Sequence, residues 1–288
     1  GAPVDRLKTY ASFVRVSHTV FALPFALVGA VLAARVTPLT WTRVAWIVAA
    51  MITARSAAMG FNRLVDARHD ALNPRTAMRE LPRGAMSRTE ATLFVAVSSL
   101  LFIFCAWQLG PLTLALSPVA LAIVFWYSLA KRVTSYTQFF LGLAMAVAPV
   151  GGWLAAGGPF FAVEPWLLAL AIGTWVGGFD ILYACQDLAF DRAHGLHSIP
   201  VRFGVRASLW MSRACHVVTV AALAAIGLVA DLGAVYMGGV AGVALLLVYE
   251  QSLVREHDLS QVKRAFDMNG YVGILYMATT MVAVYVSG

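Results

Sequence analysis

Charge is what this chain has least of: Asp, Glu, Lys and Arg make up 12% of its 288 residues, against about 25% in a soluble globular domain. That shortage argues against an ordinary soluble enzyme, and with 60% hydrophobic residues it implies a protein embedded in lipid. Cysteine is scarce as well. Cys105, Cys185 and Cys215 lie in apolar stretches without C-x-x-C spacing, which leaves no zinc motif to read and points to three buried thiols. No small-residue cleavage site follows the first apolar stretch, so it is read as a span and not as a signal peptide. A net charge of +7 has no soluble domain on which to form a nucleic-acid patch. Membrane sidedness accounts for it better.

Long apolar runs are what the chain has in abundance. A bilayer core about 30 Å thick needs roughly 20 mostly apolar residues per helix. Nine stretches qualify, near 17–35, 43–62, 90–108, 112–130, 136–157, 165–186, 207–229, 233–254 and 268–287. Their joints carry turn residues such as Gly110-Pro111 and Gly157-Gly158-Pro159. With the N-terminal segment and every second loop on one side, every Lys and Arg falls there except Arg35, Arg43 and Arg55, the last inside a span. The positive-inside rule makes the crowded side cytoplasmic. The expectation is one all-α domain over 1–288, a bundle of nine transmembrane helices with the N-terminus inside.

Two acidic motifs interrupt the apolar pattern. The second span ends Asn62-Arg63-Leu-Val-Asp66-Ala-Arg-His-Asp70 and runs on into Asn73-Pro74-Arg75-Thr76. Four-residue steps put Asn62, Asp66 and Asp70 on one helical face, and seven places back the same face holds Arg55. The sixth span ends Asp180-Ile-Leu-Tyr183-Ala-Cys-Gln-Asp187-Leu-Ala-Phe-Asp191, which again shares a face on a continuous helix. A solvated helix end explains one such motif. Two motifs at equal depth, with Asp180 and Arg55 inside spans where a charge costs about 2.5–3.5 kcal/mol, point to function.

Facing carboxylates repel unless cations lie between them, and hard oxygen ligands suit Mg²⁺, which takes one or two carboxylates, water and phosphate oxygens. The candidate metal ligands are Asn62, Asp66, Asp70, Asp187 and Asp191, and the implied substrate carries phosphate. Candidate counter-charges are Arg63, Arg68, Arg75, Arg79, Lys131, Arg132, Arg192 and Arg202. Arg55 is expected to point into the site as a ligand for a diphosphate or a carboxylate.

These residues resemble the UbiA superfamily of intramembrane prenyltransferases. The first motif followed by Asn73-Pro74-Arg75-Thr76, the second motif, and Tyr127-Ser128-Leu-Ala-Lys131-Arg132 carry the likeness. The resemblance implies a lipid-open central cavity in the helical bundle, with Mg²⁺ at its cytoplasmic mouth in a bacterial-type inner membrane. It further implies transfer of a polyprenyl chain from its diphosphate to an aromatic carboxylate in quinone synthesis. The acceptor is of the 4-hydroxybenzoate type, with 1,4-dihydroxy-6-naphthoate as the alternative. Asp66, Asp70, Asp187 and Asp191 would be catalytic, with Tyr127 beside the allylic cation. Asp180, Tyr183 and Ser198 would meet substrate, and Arg15 or His18 would take the acceptor carboxylate or else anchor a helix at the interface. Two departures stand out: Glu80 in Arg79-Glu80-Leu81-Pro82, where many relatives have proline, and His197 where lysine is commoner. A CDP-alcohol phosphotransferase is disfavoured because its acidic pairs form one combined block. A transporter would spread charge towards mid-membrane in several helices. The expected partners are the two substrates and the bilayer, with no nucleic acid and no obligate protein.

Overall fold

The computed structural model describes residues 2–14 and 16–286, with side chains for residues 3–9 and 23–286. The expectations for Arg15 and for the His18 side chain lie outside the described residues. Every described element apart from one isolated bridge is helical: α1 (Ala2–Val14), α2 (Val16–Ala33), α3 (Trp41–Leu72), α4 (Arg88–Leu109), α5 (Pro111–Ala130) and α6 (Thr137–Ala155). After them come α7 (Glu164–Ala184), a 3₁₀ turn (Cys185–Asp187), α8 (Leu188–Ala193), α9 (Ile199–Val229), α10 (Gly233–Ser252) and α11 (Val262–Tyr285). A helix thus occupies each of the nine apolar stretches. Among the described residues, seven helices are long and apolar enough to cross a membrane, which makes this a multi-pass membrane protein. The described apolar part of α2 is shorter, Leu23–Ala33, and α11 carries Lys263, Arg264 and Asp267 in its first two turns.

Local chemistry sets the helix ends. Thr40 caps α3 by accepting the Arg43 N–H at 3.2 Å, and Ser87 caps α4 by accepting from Glu90 at 3.1 Å, in the order of a capping box. Pro111 starts α5 at a position where its missing N–H costs nothing. The N-terminal α1 is a helix outside the expected spans. Its Arg6 donates to the Ala85 carbonyl at 3.0 Å and pairs with Glu90.

Lipid offers no hydrophobic drive between helices, so small residues that let backbones touch decide the packing. At Gly152 of α6 an added Cβ would lie 1.9 Å from the Ala26 carbonyl oxygen of α2, and at Gly142 one would lie 2.2 Å from that of Gly173 in α7. Hence α6 is wedged between α2 and α7. Trp175 anchors the core, edge-on to Phe25 at 4.8 Å and to Phe179 at 5.3 Å. Its indole N–H donates to Asn269 Oδ1 at 3.0 Å, which fastens α7 to α11. All three cysteines are free and buried. Gly152→Val should overpack the α2–α6 contact by about 1–3 kcal/mol and lower the unfolding midpoint in detergent by roughly 3–10 °C, read by tryptophan fluorescence. An unchanged midpoint would mean that the helices can part there without cost.

Candidate active site

A cavity of about 520 Å³ opens where α3, α5, α7 and α9 end near one another. One face of α3 supplies Arg55, Asn62, Asp66 and Asp70, and the end of α5 supplies Tyr127 and Lys131. Asp180 and Tyr183 come from α7, Asp187 from the 3₁₀ turn and Asp191 from α8. The second motif is therefore not one continuous helix as its spacing suggests. The 3₁₀ turn tightens the backbone after Ala184, and Asp187 and Asp191 still line the cavity. His197 donates its backbone N–H to the Lys131 carbonyl at 2.7 Å, tying the loop before α9 to the end of α5.

Three of the five motif carboxylates hold a cation of the chain itself. Lys131 Nζ lies 2.9 Å from Asp66 Oδ2, and Arg79 Nη1 lies 3.2 and 3.1 Å from the Asp70 oxygens. Arg75 grips Asp187 in bidentate fashion at 2.9 and 2.5 Å, and donates to the Tyr183 hydroxyl at 2.9 Å. Burial opposes the charge on Arg75, but its hydrogen bonds to Asp187 and that carboxylate's charge outweigh it and hold the guanidinium above its ordinary pKa. The side chains of Asp180 and Asp191 have no hydrogen-bond or ion-pair partner among the described residues; the Asp191 carbonyl accepts the Leu196 N–H at 2.9 Å. Asp66 Oδ1 is buried and unpartnered.

Five of the eight expected counter-charges, Arg63, Arg68, Arg132, Arg192 and Arg202, are absent from the cavity wall. Arg63 does not line the cavity; it is 3% exposed and pairs with Glu80 at 3.0 Å. Asp66 and Asn62 face the cavity, and their neighbour Arg63 is carried to another side of α3. Arg132 is also off the wall, with its guanidinium donating to the Val65 carbonyl of α3. Ser198 lines the mouth, although its hydroxyl is engaged in capping α9 through the Val201 N–H at 3.2 Å. Gln138 and Asp267, which belong to neither acidic motif, also line the cavity. Gln138 Oε1 accepts the Ile199 N–H at 3.0 Å. Asp267 carried a legible signal, as an acid beside the last apolar run.

A second cavity of about 410 Å³ runs between α3, α4, α5 and α6 and is lined almost wholly by apolar side chains. Arg55, Met59, Tyr127, Leu141 and Met145 line both cavities. Arg55 stands at this seam with Nε buried and unpartnered. Its described contact is Nη1 to the Met145 sulfur at 3.9 Å, and no carboxylate pairs with it among the described residues.

Carboxylates and cations gathered where a polar cavity meets an apolar one define the class: a membrane-embedded enzyme with an ionic site beside an apolar chamber. Residues 22–275 match the model of the UbiA prenyltransferase family, and the chain belongs to that family. The 4-hydroxybenzoate octaprenyltransferase of Tolumonas auensis is 33% identical over 235 residues, 82% of each chain. That of Alkalilimnicola ehrlichii is 32% identical over 289 residues, covering 99% of this chain and 97% of its own. Among solved structures, a UbiA homolog from Aeropyrum pernix K1 superposes with a TM-score of 0.85 at 37% identity, over 92% of this chain and 98% of that one. A UbiA homolog from Archaeoglobus fulgidus, solved with GPP and Mg²⁺, shares the fold with a TM-score of 0.69 at 19% identity, over 96% and 100%.

Proposed function

We propose that this prenyltransferase moves a polyprenyl chain from its diphosphate to the ring of an aromatic carboxylate of the 4-hydroxybenzoate type, with Mg²⁺ as cofactor. One observation carries the reading. Arg55, a cation without an anionic partner among the described residues, stands between an ionic cavity suited to diphosphate and an apolar one suited to a prenyl tail. A buried cation of this kind favours an anionic ligand, and the acceptor carboxylate supplies one. The names of the curated relatives support the same acceptor.

The donor set fits the metal. Asn62, Asp66, Asp70, Asp187 and Asp191 offer hard oxygens, one of them the unpartnered Asp66 Oδ1. Among the described residues no three acidic, histidine or cysteine side chains converge as a ready-made cage, so phosphate and water would complete the coordination. When bound, Mg²⁺ would neutralise charge on the departing pyrophosphate. Arg75, Arg79 and Lys131 would grip the same group from the protein side. The prenyl C1–O bond breaks with its electron pair leaving on the pyrophosphate. A carbon of the acceptor ring, whose carboxylate Arg55 holds, gives a pair to the allylic cation beside Tyr127, and that carbon then loses its proton to the released pyrophosphate or to water. The chain would cross a bacterial-type inner membrane nine times as a single domain, with the site facing the cytoplasm, and would act without a protein partner.

The test is transfer of a labelled polyprenyl chain to 4-hydroxybenzoate in membranes, with 1,4-dihydroxy-6-naphthoate in parallel. Faster transfer to the naphthoate would reassign the acceptor, and transfer to neither would remove this reading. Arg55→Leu removes a charge-assisted contact, so the KM for the acceptor should rise about 10–100-fold at saturating donor. Full activity in that variant would leave Arg55 a structural charge.

A further inference from the structure

Glu80 belongs to the loop of residues 73–87 that also carries Arg75 and Arg79. Its carboxylate meets Arg63 at 3.0 Å, and each residue of the pair is 3% exposed. The Glu80 carbonyl accepts the N–H groups of Ala85 at 2.8 Å and Met86 at 3.4 Å, closing a turn in which Gly84 has φ +77°. Met86 packs in a small apolar cluster with Ala91, Leu64, Leu81 and Phe94. Thr76 Oγ1 donates to the Asp70 carbonyl at 3.1 Å. The loop is thus pinned to α3 and α4, and the Glu80 side chain is its ionic pin.

We infer that the buried Arg63–Glu80 pair is a positioning device that aims Arg79 and Arg75 at the diphosphate position. This rests on the reading of the cavity proposed above. Arg79 and Glu80 are adjacent, and their side chains diverge: Glu80 goes to Arg63 beneath the loop, Arg79 to Asp70 in the cavity. Drawing Glu80 inward therefore sets which way Arg79 faces. Removing one member of a buried pair takes away a charge-assisted contact where water is excluded, and the loop must then shift to compensate. A displacement of about 1 Å is enough to cost large factors at a site that works by aligned charge. The same pair explains why Arg63, next to Asn62 in sequence, is absent from the cavity wall. Neither residue touches substrate in this account; both act through Arg75 and Arg79.

The experiment measures KM for the prenyl diphosphate and for the acceptor separately, together with kcat and the unfolding midpoint, in wild type, Glu80→Gln, Arg63→Met and the double variant. Each single change should raise the donor KM about 10-fold while acceptor KM and kcat stay within about 3-fold. The double variant should be no worse than the worse single, because both changes remove one device. A lower midpoint with an unchanged donor KM would reduce the pair to a purely structural role and overturn the inference, as would equal rises in both KM values. Glu80→Asp keeps the charge and shortens the reach, so it serves if Glu80→Gln does not fold: a donor KM raised about 3-fold is expected, and an unchanged one again overturns the inference. Titration of wild type with inorganic pyrophosphate and Mg²⁺ separates the two levels. No binding in wild type would count against the cavity reading itself, whereas equal binding in wild type and Glu80→Gln would sink only the positioning role.

Discussion

Replacing Asp66, Asp70, Asp187 or Asp191 by Asn should slow prenyl transfer about 10²–10³-fold, the loss expected when about 3–4 kcal/mol of transition-state stabilisation goes. Each change keeps the size of the side chain and removes one charge and one hard oxygen ligand. The four residues line one cavity from α3, the 3₁₀ turn and α8, and in the proposed mechanism all serve one pyrophosphate. Combining Asp66→Asn with Asp187→Asn should therefore cost less than the product of the single effects. Initial rates of labelled transfer at saturating substrates decide it. Wild-type rates in Asp70→Asn and Asp191→Asn would defeat the mechanism.

Removal of divalent metal should abolish transfer, and Mg²⁺ should restore it. Two unit charges 4 Å apart interact by roughly 4 kcal/mol at an effective dielectric of 20. A diphosphate brought among four carboxylates would meet that repulsion several times over. The protein alone meets it differently, since Lys131, Arg79 and Arg75 neutralise Asp66, Asp70 and Asp187. Chelation should accordingly leave the fold intact: the unfolding midpoint moves by no more than a few degrees while transfer disappears. Activity that survives a chelator would rule out the metal. A collapse of the fold would show that the metal is structural.

Much of this was legible in the sequence because its signals are local. A run of some 20 apolar residues in lipid has little alternative to helix, and each of the nine stretches carries one. Four-residue spacing put Asn62, Asp66 and Asp70 on the face that also holds Arg55, and all four line the cavity. The second motif kept its residues at the cavity although the helix gives way at Cys185, since a 3₁₀ turn alters register by only a fraction of a turn.

The cations were a different matter. Counting Lys and Arg by side places them near the acidic motifs and cannot say which carboxylate each one meets. Arg63 and Arg79 look equivalent on that count, yet one is buried against Glu80 and the other lies on Asp70. Their partners are 17 and 9 residues away, and the Arg75–Asp187 contact spans 112. Such pairings follow from how the 73–87 loop folds back on α3 and α4. The seam at Arg55 is likewise tertiary, because it exists only where α3, α5 and α6 leave two cavities side by side. Helix formation is a property of a segment in its solvent, so the sequence by itself determined it. Ion-pair choice and cavity shape depend on distances between segments, and only the packed structure decided those.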